Sequence, residues 1–96
     1  MKIWNLEIVF IEKLTVREFQ IINKLNTKYS NKEIDEMDLS NEILKIIVVS
    51  INNETDKEKI LDIVLNIEDI NEYEELNQEI AKIIEEKVWN IKKKNN

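Results

Sequence analysis

The chain has 96 residues, 43% of them apolar and 35% charged, with a net charge of −6, and it contains no Gly, Pro, Cys or His. Without Gly there is no phosphate-cradling loop of the Walker or dinucleotide type. Without Cys or His, thiol nucleophiles, imidazole bases, zinc sites and disulfide staples are excluded as well. The acidic balance argues against nucleic acid and anionic membranes as partners, since both demand a concentrated basic face. The one basic run is Lys92–Lys94.

Length predicts one domain, residues 1–96. Residues 3–11 alternate, with Trp4, Leu6, Ile8 and Phe10 on one side and Asn5, Glu7 and Val9 on the other. That pattern predicts a strand, which needs a partner in a hairpin or across subunits. No small-residue cleavage site follows this opening segment, and no apolar stretch approaches the ~20 residues of a membrane span. The expected setting is the cytoplasm of a bacterial host cell.

Next comes "LTVREF". Thr15 and Glu18 have capping-box spacing, and Leu14 and Phe19 have that of a hydrophobic staple. They predict a helix to about Tyr29, with Phe19, Ile22, Leu25 and Tyr29 on its inner face. "SNKEIDEMD" reads as a loop or a short turn around Ile34 and Met37. In "SNEILKIIVVSINN" a cap at Ser40 and a long apolar run favour helix. The β-branched "KIIVVSI" leaves as alternative a buried strand paired with the first.

Thr55 with Glu58 predicts a further helix carrying Ile60, Leu61, Val64 and Leu65. Asp69 with Glu72 opens the last and longest, running to about Lys92 with Ile70, Tyr73, Leu76, Ile80, Ile84, Val88 and Ile91 at helical spacing. With Gly absent, Asn52–Asn53 and Asn95–Asn96 are expected to close helix ends. The fold class is therefore mainly α: an N-terminal strand followed by about four helices.

The acidic cluster Asp69, Glu72, Glu74, Glu75 and Glu79 could in principle hold Mg²⁺, but such sites borrow ligands from phosphates, and no phosphate-binding element is present. A solvated helix start that complements the macrodipole accounts for it. "NNETDKEKILD" lacks the Gly of an EF-hand loop. No catalytic, metal-binding or cofactor-binding residues are assigned, and no enzyme is expected.

The order of elements resembles the small tail assembly chaperones of long-tailed bacteriophages and phage-tail-like particles. The residues carrying the resemblance are the alternating first strand, "LTVREFQIINKL", a pair of short apolar helices and "IEDINEYEELNQEIAKIIEEK". The resemblance implies a non-enzymatic role: binding and solubilising the tape-measure protein, helping recruit tail-tube subunits, and self-associating as a possible homo-oligomer. Candidate partner-binding residues are Trp4, Tyr73, Leu76, Ile80, Ile84 and Trp89, with core packing as the other role open to both tryptophans. The alternatives are a small acidic phage- or plasmid-encoded inhibitor, either an anti-defence protein or an antitoxin, and a structural subunit of a phage particle.

Overall fold

A computed structural model describes residues 2–3 and 6–94, with side chains over 6–88. The elements run β1 (Lys2–Ile3), β2 (Leu6–Phe10), α1 (Val16–Ser30), α2 (Glu36–Ile47), β3 (Val48–Ile51), α3 (Lys57–Leu65) and α4 (Ile70–Lys94). The fold is mainly helical with a small antiparallel sheet ordered β1-β2-β3, and α4 is the longest element. Two details of the strand expectation change. The segment expected as one strand is two, pairing Lys2 with Glu7 and Ile3 with Leu6. The run expected to continue as helix through Ile51 leaves the helix after Ile47 and becomes β3, paired with β2. The physical reason is the partner: Val48, Ser50 and Ile51 gain both a ladder and a buried face beside β2, which outweighs helix continuation.

A bulge interrupts the β2–β3 ladder. Val9 faces Ser50 and Phe10 faces Val48, so Val49 is the extra residue and turns outward. The Lys57 ammonium donates to the Val48 carbonyl at 2.7 Å. At the far end of β3, Asn52 and Asn53 both have positive φ, 51° and 70°. Ile51 and Glu54 exchange backbone hydrogen bonds across them, the pattern of a two-residue type I′ turn. This pair therefore closes a strand turn, not a helix end. Asn95 and Asn96 lie outside the described residues.

The helix caps follow local chemistry. Thr15 and Glu18 form the reciprocal box: the Glu18 amide donates to Thr15 Oγ1 at 3.1 Å, and the Thr15 amide donates to Glu18 Oε1 at 3.0 Å. Leu14 is buried and Phe19 packs against the core, as the staple requires. The α2 cap is Asp35, not Ser40; its carboxylate accepts from the Asp38 amide at 2.8 Å. The α3 cap is Asp56, not Thr55, and accepts from the amides of Glu58 and Lys59. Asp69 accepts from the Asn71 amide at 2.9 Å at the start of α4. α1 ends in a Schellman pattern, with Lys32 amide to Tyr29 carbonyl and Glu33 amide to Lys28 carbonyl. Its left-handed position is held by Lys32 (φ 62°), a residue that carries a Cβ penalty there.

The core lies between the inner face of the sheet and the helices. Ile8, Val48 and Ile51 meet Leu14, Ile22, Leu44, Ile47, Ile60, Val64, Leu76 and Ile80 in one cluster. α2 is the hub and packs against α1, α3, α4 and β3. Among the described residues, no helix is long and apolar enough to cross a membrane.

Candidate functional site

Residues selected by helical periodicity divide between interior and surface. Leu76 is fully buried and Ile80 is 4% exposed, both within the core cluster. In this conformation they have no surface to offer a partner; the apolar stripe of α4 is consumed by the protein's own core. Ile84 is half-buried against that cluster. Tyr73 is half-buried and reaches a groove. Trp4 and the Trp89 side chain lie outside the described residues.

The groove that Tyr73 lines runs between the N-terminal parts of α2 and α4. Met37 and Ser40 form one wall, and Ile70, Tyr73 and Asn77 form the other, around about 220 Å³. Met37 and Ile70 are 62% and 64% exposed, the highest values among the large apolar side chains described. Each sits in the first turn of its helix, where the chain has not yet entered the core. Neither position follows from periodicity alone. The available signal was an isolated apolar residue among acids, "DEMD" and "IEDI".

At Glu36 this groove meets a second, larger one of about 520 Å³, lined by Tyr29, Ile34 and the turn between α1 and α2. Tyr29 was expected on the inner face of α1 but is 41% exposed here. Together the two grooves form an open trough across one end of the helical layer. The apolar floor belongs to the groove between α2 and α4; the second groove is lined mostly by charged side chains, and the rim of the two together carries five carboxylates (Glu33, Asp35, Glu36, Asp38 and Glu74) against one ammonium, Lys32.

Electrostatic crowding continues along α4. The Glu72 carboxyl is held above its ordinary value, first by desolvation and then by the charges of Asp69 and Glu75. Both ion pairs among the described residues belong to Lys45, with Glu58 at 3.0 Å and Glu42 at 3.5 Å, and neither involves the trough. Among the described residues, no group of three or more acidic side chains is arranged to hold a metal ion. What the trough can do chemically is bury an apolar surface and receive positive charge. The chain matches no family model, no curated protein sequence and no solved structure.

Proposed function

We propose that this protein is a non-enzymatic tail assembly chaperone. It binds apolar helix faces of the tape-measure protein, keeps them soluble, and helps bring tail-tube subunits to them. The observation carrying this reading is the trough, where Met37 and Ile70 stand exposed over an apolar floor at the ends of two helices. A surface of that kind suits a helix laid into a groove, with anchors at three- and four-residue steps. Glu36 and Glu74 flank the apolar surface of Met37, Ile70 and Tyr73, a mixed apolar and acidic lining that favours a protein helix over nucleic-acid mimicry.

Co-expression with a long helical tape-measure-like protein encoded beside it tests the proposal. The expected result is a soluble complex that survives size exclusion and is lost in Met37→Asp/Ile70→Asp. A partner that stays insoluble, with no complex formed, would overturn it.

A further inference from the structure

The rim of the trough selects the chemistry of what binds there. Asp35 is committed to the α2 cap, and Glu36 and Asp38 lie in the first turn, where the helix dipole favours them. Glu33 precedes α2, and Glu74 lies beyond the first turn of α4, so neither has that explanation. Neither has an ion-pair partner among the described residues. Covering the exposed floor with a neutral or acidic helix would desolvate these carboxylates without compensation.

We propose that the trough takes an amphipathic helix whose apolar stripe is flanked by Lys or Arg, the stripe covering Met37, Ile70 and Tyr73 and the cations meeting Glu33, Glu36 and Glu74. This rests on the trough being the partner site and adds the partner's charge. The chain's own basic run cannot fill the trough in cis. α4 begins there, and its 25 residues carry Lys92–Lys94 about 35 Å away at a rise of about 1.5 Å per residue.

The test uses two synthetic amphipathic helices of about 20 residues, one built from Leu and Lys and one from Leu and Glu. Binding to the full chain is read by fluorescence anisotropy at about 50 and about 300 mM salt. The Lys peptide should bind and the Glu peptide should not, with affinity falling about tenfold between the two salts. Glu33→Lys/Glu74→Lys, at the two rim carboxylates outside a helix first turn, should weaken binding about tenfold at unchanged melting temperature. The control Glu85→Lys/Glu86→Lys, on the exposed far half of α4, should leave binding intact.

Equal loss in the control variant would overturn the proposal, because attraction to net charge would then suffice. Low-salt self-association of the wild type that disappears in Glu33→Lys/Glu74→Lys would also overturn it, by making the occupant a second copy. Failure here and failure of the chaperone reading are distinguishable. A solubilised tape-measure partner with no preference for the Lys peptide sinks only the charge rule. Trough-specific Lys-peptide binding without tape-measure solubilisation sinks only the chaperone role.

Discussion

Asn52 ties the β3 turn to β2, and replacing it separates two contributions that the fold combines there. Its amide donates to the Glu7 carbonyl, and its side-chain Oδ1 accepts from the Glu7 amide, both at 2.9 Å. The residue thus extends the ladder by one pair beyond Ile8–Ile51 while its own backbone is left-handed. Asn52→Ala removes the side-chain acceptor, about 1 kcal/mol, and loses the tolerance of left-handed backbone that the short polar Asn side chain gives, about 1 kcal/mol. Asn52→Gly removes the same acceptor but tolerates positive φ, at a chain-entropy loss of roughly 0.5 kcal/mol. The expected losses are about 2 kcal/mol for Ala and about 1.5 kcal/mol or less for Gly. For a chain of this size the Ala variant should melt roughly 8–16 °C lower. Urea unfolding and thermal melts followed by circular dichroism measure both variants. A Gly variant less stable than the Ala variant would refute the reasoning, because backbone strain would then play no part.

Leu76→Ala should cost about 2–5 kcal/mol in denaturant unfolding because it opens a cavity in the core; a loss below about 0.5 kcal/mol would return Leu76 to the surface. Lys32→Gly should stabilise by about 0.5–1 kcal/mol by relieving the left-handed residue that ends α1; lower stability in chemical denaturation would contradict that geometry. The Lys45 ammonium is held above its ordinary value chiefly by its hydrogen bond to Glu58, with Glu42 adding to it and desolvation opposing. Since the folded value lies above the unfolded one, the contribution is fully present below the unfolded value near 10.4 and is lost as pH rises through the folded value. Glu58→Gln should therefore lower stability at pH 7 by only about 0.2–1 kcal/mol, as for an exposed pair. The difference from wild type should shrink as pH rises through the raised Lys45 value; a difference that grows there would reverse the sign.

Much of the helical architecture was legible because capping chemistry is local. Thr15 with Glu18, and the apolar steps of α4, need no tertiary information to be read. The caps of α2 and α3 were displaced because Asp35 and Ser40, or Thr55 and Asp56, are all competent cap residues, and packing decides between them. β3 was legible only as the alternative to helix because "KIIVVSI" satisfies both periods, and only the Val9–Ser50 and Ile8–Ile51 pairings select the strand. The candidate site was the least legible part. An apolar stripe such as Tyr73–Leu76–Ile80 looks the same whether it faces its own core or a partner. Met37 and Ile70 are apolar at helix starts, where periodicity carries little weight.

Hydrogen exchange on the complex with the proposed tape-measure partner tests the central claim most directly. The trough account predicts new protection over residues 33–40 and 70–77, with the outer face of the sheet at Val9 and Val49 unchanged. Protection confined to that sheet face, with the trough exchanging as in the free protein, would contradict it.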